Sequence, residues 1–137
     1  MNDEQHLALT TYVHAIADHL LLADWDIVIE RAHADDACYA SINVWTVQNR
    51  ANIRVCIDFF GYPPHVQRQH LAHELIHMHT DRITRALKHA DPALKDNPSF
   101  AMAVATQADE IEIVVHNFAR IIAEYLPLPE LPPGVYD

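Results

Sequence analysis

The stretch HLAHELIH, residues 70–77, holds the most informative pattern of the chain: Glu74 directly follows the first of two histidines four positions apart, His73 and His77. On an α-helix, residues four apart lie one above the other on the same face. Two imidazoles with this spacing can bind one Zn²⁺, at metal–nitrogen distances of about 2.0–2.1 Å. The next residue points about 100° around the helix, so its carboxylate reaches a metal-bound water and not the metal. The pattern therefore predicts a metal site with a general base beside it.

Chance rarely produces this pattern. With 11 histidines and seven glutamates among 137 residues, random placement yields about 0.04 matches over the chain. The flanking residues favour a helix with a buried side, because Leu71, Leu75 and Met78 fall opposite the two histidines. The competing interpretation is a polar helix face with solvated histidines that binds nothing.

Sequence signals indicate where the helix that carries this pattern begins and ends. The segment GYPP, residues 61–64, interrupts a β-rich region. Proline is tolerated in a first helical turn because its missing N–H has no intrahelical partner there. We therefore predict a helix from near Pro64 to about Arg85, followed by a looser segment, Lys88–Asn97, that is rich in Asp, Lys and Pro.

A second helix is predicted to begin directly after Asn97. Asparagine is a preferred N-cap residue, and Pro98 suits the first helical position. The helical pattern can extend to Leu126, where a proline ends it. The tail that follows, residues 127–137, holds four prolines and is expected to pack as an extended strap or to stay loose.

The N-terminal part of the chain predicts one helix and three strands. Apolar residues three and four positions apart indicate a helix over Asp3–Ala23. Three β-rich runs indicate strands over Asp26–Glu30, Cys38–Thr46 and Asn52–Asp58. In the last run, the apolar residues alternate with polar ones as in a half-buried strand: Ile53, Val55 and Ile57. The order helix, three strands, helix, helix predicts an α+β fold with a small antiparallel or mixed sheet.

Length and composition suit one domain, since the chain has 137 residues and a mass of 15.6 kDa. The net charge of -10 argues against nucleic acid and anionic membrane surfaces as partners. We find no apolar run long enough for a membrane span and no secretory signal at the N-terminus. The two cysteines, Cys38 and Cys56, make no disulfide framework and are expected to be buried thiols, so we expect a cytoplasmic protein.

A catalytic zinc needs a third protein ligand and an open position for water. The segment DEIE, residues 109–112, lies in the second long helix and offers two glutamates. Glu110 and Glu112 lie about 200° apart around that helix, so only one of them can face the metal. This spacing alone does not choose between them.

The arrangement resembles the gluzincin metallopeptidases, in which a glutamate on a later helix is the third zinc ligand. The run EIVVHNFARIIA, residues 112–123, is similar to the corresponding helix of small phage-encoded and ImmA/IrrE-like HExxH proteins, in which a glutamate precedes an F-A or L-A pair. The resemblance spans roughly Asn52–Leu126 and favours Glu112 over Glu110. ImmA-like proteins usually have glycine where Ile76 stands, which favours the gluzincin-like or phage-type relationship.

The resemblance implies one zincin-like metallopeptidase domain over residues 1–137, with Zn²⁺ held by His73, His77 and Glu112. The zinc would lower the pKa of its water toward neutrality. Glu74 would take the proton while that water attacks a peptide carbonyl, and would then pass it to the leaving amine. The implied partner is a peptide or protein substrate.

Other interpretations fit the same residues. A zinc-binding protein of this fold without peptidase activity would act as a regulatory or interaction module, and so short a chain leaves little room for a second subdomain around a substrate cleft. A DNA-associated protease of the SprT-like kind is disfavoured by the net charge of -10. For a peptidase, we expect the strand Asn52–Asp58 to present an exposed edge to an extended peptide.

Further residues carry weaker signals. His70 lies on the same helix face as the metal-binding pair and is either a substrate contact, a partner of a ligand, or simply exposed. Asp81 either orients His77 or is an ordinary surface acid. His116 lies four residues after Glu112, where gluzincins usually have an aspartate that binds a ligand histidine. For the oxyanion-stabilising residue, three tyrosines qualify by type alone: Tyr62, Tyr125 and Tyr136.

Overall fold

In the part of the chain that the structure describes, three α-helices and three strands follow one another in the order α1, β1, β2, β3, α2, α3. The structure is a computed structural model and describes residues 1–35, 38–88 and 94–134. The bounds of the elements are α1 Asp3–His19, β1 Asp26–Ile29, β2 Ala40–Trp45, β3 Arg50–Val55, α2 Pro64–Lys88 and α3 Pro98–Ala123. The predicted α+β class is confirmed.

The first helix is fixed at its start by a capping box. The Asn2 side chain accepts a hydrogen bond from the backbone N–H of Gln5, and the Gln5 side chain accepts one from the N–H of Asn2. The helix ends at His19, four residues before the predicted end, because the chain turns at Leu21 (φ 59°) and inserts Leu22 into the core.

The sheet is mixed, with the strand order β1-β3-β2. Strand β3 pairs in parallel with β1 and antiparallel with β2. The prediction of an exposed edge on Asn52–Asp58 is therefore wrong, because β3 is the central strand and both of its edges are paired. The strand whose outer edge faces the helices is β2, which packs against α2.

The alternation predicted for β3 holds for Ile53 and Val55, which are buried. It fails at Ile57, which is 65% exposed, because the strand ends at Val55 and the chain turns into a short 3₁₀ helix. Cys56 is buried as predicted but lies beyond the strand, whereas Cys38 is only half-buried and precedes β2.

Helix α2 begins at Pro64 as predicted and buries Leu71, Leu75 and Met78. Helix α3 begins at Pro98, and the side chain of Asn97 accepts hydrogen bonds from the N–H groups of its first turn, Ser99 at 2.9 Å and Phe100 at 3.3 Å. The predicted N-cap is confirmed.

Helix α3 packs against α2 along one side, where Ile111 and Ile122 are partly buried against the core. Three of its residues are buried, Val115, Ala119 and Ala123. It ends at Ala123 and not at Leu126, and the carbonyl of Leu126 accepts a hydrogen bond from Arg68 on α2 at 2.9 Å.

The described part of the proline-rich tail packs as a strap. The Tyr12 hydroxyl donates to the Pro127 carbonyl at 2.7 Å, the Gln5 amide donates to the Pro133 carbonyl at 3.2 Å, and the N–H of Gly134 donates to the Phe60 carbonyl at 3.3 Å. The tail therefore crosses α1 and the turn after β3. No helix among the described residues is long and apolar enough to cross a membrane.

Candidate metal centre

The structure brings His73 and His77 on α2 together with Glu112 on α3. The Nε2 atom of His73 lies 2.9 Å from Oε1 of Glu112, and Nε2 of His77 lies 3.2 Å from Oε2. The two Nε2 atoms are 3.1 Å apart. Both glutamates that the spacing left open are exposed, but the structure turns Glu112, whose side chain is 56% exposed, toward the histidines, and joins Glu110 to neither of them among the described residues.

This donor set fits a zinc ion. Two imidazole nitrogens and a carboxylate are the ligands of one common type of catalytic zinc site. With metal–ligand bonds of about 2.0–2.1 Å in a tetrahedron, neighbouring ligand atoms are about 3.3 Å apart. The two Nε2 atoms, 3.1 Å apart, are close to that value, whereas the separations of 2.9 and 3.2 Å join the two histidines to different oxygens of Glu112. One donor atom from each of the three residues lies within 4.8 Å of the others, so together they could hold one ion.

Burial keeps both histidines in the form that binds metals. It lowers the pKa of His73, and the nearby His77 lowers it further. Burial is also the main reason that the pKa of His77 lies below its ordinary value. Near pH 7 both imidazoles are therefore neutral, and a nitrogen lone pair on each is available for coordination.

Glu74 lies in the wall beside the ligand atoms and is 9% exposed. Burial, and then the negative charge of Glu112, raise the pKa of Glu74 to about 8. A carboxyl group in this environment holds a proton near neutral pH until a positive charge is placed close to it. Its protonation is therefore sensitive to what occupies the neighbouring site.

A cleft of about 750 Å³ runs past these residues, between α2 and the outer edge of β2. Tyr39, which precedes β2, stacks on His70 of α2. At the other end of β2, the Val44 carbonyl accepts a hydrogen bond from Arg85 of α2. Strand and helix therefore run in the same direction along the cleft, which extends over about 22 Å of helix between His70 and Arg85.

The edge of β2 offers backbone groups to this cleft. The carbonyl of Tyr39 accepts a hydrogen bond from Cys56 N, on the β3 side, at 2.9 Å. Because successive residues of an antiparallel strand turn their N–H and C=O groups to opposite sides, those of Ala40, Ile42 and Val44 point away from β3. All three residues line the cleft.

An ion pair closes the cleft where β2 ends. Nε of Arg85 lies 2.7 Å from the Asp81 carboxylate, and the Thr46 hydroxyl donates to the same carboxylate. The sequence left open whether Asp81 orients His77. In the structure its hydrogen-bonding partners are Thr46 and Arg85, so Asp81 organises the end of the cleft.

At the opposite end, three aromatic rings pack in sequence. The rings of Tyr39 and His70 are stacked, with centroids 4.1 Å apart and planes 17° apart. Tyr62 meets Tyr39 edge-on, with centroids 5.1 Å apart. His70 therefore contacts a ring of the cleft wall, and burial lowers its pKa.

Two residues of the cleft, Tyr39 and Arg85, were not identified from the sequence. Arg85 lies on the stripe of α2 that carries His70, His73 and His77, so helical spacing could have indicated it. No local signal points to Tyr39, because its position depends on how β2 packs against α2.

The remaining sequence candidates lie in different places. The His116 ring lies 6.2 Å from that of His73 and borders the cleft. Among the residues that the structure describes, no hydrogen bond joins His116 to His73 or His77. Of the three tyrosines, Tyr62 lies behind Tyr39, Tyr125 is 83% exposed outside the cleft, and Tyr136 falls outside the described residues.

Comparison of the chain with family models, with curated proteins and with solved structures found no match.

Proposed function

We propose that the protein is a zinc-dependent metallopeptidase of the gluzincin-like type. The observation that carries the proposal is the convergence of His73, His77 and Glu112, whose ligand atoms lie within 4.8 Å of one another, with Glu74 in the wall beside them. A solvated polar helix face does not account for a carboxylate that a second helix brings to both imidazoles.

The residues have distinct roles in this proposal. His73, His77 and Glu112 hold the ion, which when bound acidifies water and polarises a carbonyl group. Glu74 accepts a proton at its carboxylate and delivers it to the nitrogen of the leaving amine. The position of Glu74 in the wall beside the ligand atoms supports this role, because a cation held there would favour the ionised carboxylate that accepts a proton.

The substrate in this proposal is an extended peptide that lies along β2. Ala40 and Ile42 turn backbone donors and acceptors toward the cleft, as strand addition requires. This corrects the strand expected from the sequence, since β3 has no open edge. The cleft passes the ligand atoms, so a peptide paired with β2 would present its backbone to them.

Metal analysis tests the ligand set. The purified protein is expected to hold one zinc ion per chain, and His73→Ala and Glu112→Ala are each expected to lose it. Glu110→Ala is the matched control, because Glu110 lies two residues away on the same helix and is exposed. Retention of zinc by Glu112→Ala together with its loss from Glu110→Ala would refute this ligand assignment.

Peptide cleavage tests the reaction. The zinc-loaded protein is expected to cleave members of a broad peptide library. Glu74→Gln should keep one zinc ion and the fold while losing at least 100-fold in rate, as expected for a general base. If the wild-type protein holds zinc but cleaves nothing, the peptidase proposal fails and a zinc-binding regulatory or interaction module of the same fold takes its place.

A further inference from the structure

This inference rests on the proposed function. We propose that the stacked rings of Tyr39 and His70 form a binding site for an aromatic or large aliphatic side chain of the substrate, at the residue adjoining the bond that is cleaved.

The position of the stack sets which substrate residue it meets. His70 precedes His73 by three residues, so its Cα atom lies about 4.5 Å along the helix axis from that of the first ligand. An extended peptide advances about 3.3 Å per residue. A peptide that places its reacting carbonyl at the ligand atoms therefore places the side chain of an adjoining residue beside the stack.

The stack is ordered before a substrate arrives. Tyr39 is held on one side by His70, with ring centroids 4.1 Å apart, and on another by the edge of Tyr62. Even so, Tyr39 is 46% exposed and lines the cleft. A ring that is fixed in place and still accessible binds a ligand with little loss of its own conformational freedom.

The two ends of the cleft differ in their lining groups, aromatic rings at one end and an ion pair at the other, which points to the kind of side chain bound. Cys38, Tyr39, Ala40 and His70 line the stack end, whereas the ion pair of Asp81 and Arg85 lies at the other end. An apolar or aromatic side chain gains by contact with aromatic rings. A charged side chain would instead lose hydration on contact with the rings.

Hydroxamic acids test the site without requiring cleavage, because the hydroxamate group binds zinc and fixes the adjoining side chain. The zinc-loaded protein is titrated calorimetrically with N-acetylated hydroxamates of phenylalanine, leucine, lysine and alanine. We expect the phenylalanine and leucine compounds to bind about 10- to 100-fold more tightly than the alanine compound, the range that apolar contacts give in a pocket.

Four variants test whether the stack of Tyr39 and His70 causes the preference for the phenylalanine and leucine compounds. Tyr39→Ala and His70→Ala should each reduce this preference to less than threefold while keeping one zinc ion per chain. Tyr39→Phe should retain the preference, because it preserves the ring. Tyr125→Ala, which removes an exposed tyrosine outside the cleft, should behave as wild type.

The outcomes separate this inference from the proposed function. Equal binding of the phenylalanine and alanine compounds by zinc-loaded protein, or an unchanged preference in a zinc-loaded Tyr39→Ala protein, overturns the side-chain site alone. Tighter binding of the lysine compound than of the phenylalanine compound overturns the apolar assignment and indicates a cation–π site. A protein that binds no zinc overturns the metal centre and the side-chain site together. Absence of peptide cleavage by a protein that shows the hydroxamate preference overturns the peptidase activity and the substrate role of the stack, and leaves the stack as an apolar binding site beside the zinc.

Discussion

The ionisation of Glu74 is strongly altered by its surroundings. It is almost fully buried, and the charge of Glu112 adds to the effect of burial on its pKa. The same burial that would suit Glu74 to proton transfer makes the metal-free protein less stable when the group ionises. This coupling gives a measurable signature at the level of one residue.

The free energy of unfolding of the metal-free protein should depend on pH through Glu74. Its pKa is about 8 in the folded state and about 4.3 in an unfolded chain. Between these values the folded state binds the extra proton, so stability falls as the pH rises through this window and levels off above pH 8.

Urea denaturation in the presence of a chelator, from pH 5 to pH 8.5, measures this pH dependence of the free energy of unfolding. Since each unit of pKa difference corresponds to about 1.4 kcal/mol, Glu74→Gln should gain a few kcal/mol relative to wild type across the window. A difference that stays constant with pH would contradict the assignment.

At the scale of elements, the N-cap of α3 holds the start of the helix that carries Glu112. Replacing Asn97 by alanine removes the acceptor for two N–H groups of the first turn. We expect a loss of about 1 kcal/mol in the free energy of unfolding, measured by urea denaturation. Asn117→Ala is the control, because Asn117 is exposed within the same helix and caps nothing; an equal loss there would refute the capping explanation.

The edge of β2 gives a second test at this scale. Ile42→Pro removes an N–H that points away from β3, whereas Asn43→Pro removes one that belongs to the β2–β3 ladder. On the proposed function, Ile42→Pro should weaken peptide binding about fivefold, the equivalent of one hydrogen bond. Asn43→Pro should instead lower the melting temperature by more than Ile42→Pro does. Equal effects of the two variants on stability would contradict the edge assignment.

Most elements were predictable from the sequence because their signals are local. The start of α2 at Pro64 and the cap of α3 at Asn97 follow from residue type and position. The strand order was not predictable, because the pairing of β1 with β3 depends on contacts between residues far apart in the chain. The error at Ile57 has the same origin, since alternation does not indicate where the chain leaves the sheet.

The candidate site was predictable in part for similar reasons. Spacing on one helix identifies His73 and His77, whereas the choice of Glu112 over Glu110 required either the family resemblance or the packing of α3 on α2. The contribution of Tyr39 lay beyond sequence reasoning, because its stack with His70 joins the residue before β2 to a helix residue 31 positions later, from 39 to 70.

At the scale of the whole molecule, the tail ties the C-terminus to α1 and to the turn after β3. Ending the chain at Leu126 would remove three hydrogen bonds, those of Tyr12, Gln5 and Gly134. We expect a loss of about 2–4 kcal/mol in the free energy of unfolding. Zinc stoichiometry should not change, because no described tail residue lines the cleft. Loss of zinc by a truncated but folded protein would contradict this separation.

The position of the candidate metal centre between α2 and α3 has a consequence for the lifetime of the protein. Three of the 26 residues of α3 are buried, Val115, Ala119 and Ala123, so an ion shared between the two helices would add a further attachment. By mass action, free zinc at a thousand times its dissociation constant would add about 4.1 kcal/mol to stability. On the proposed function, zinc starvation would therefore remove more than the activity of the protein. Without the ion, α3 would detach from α2 more readily and be cleaved by proteases, so the amount of protein would follow the availability of zinc.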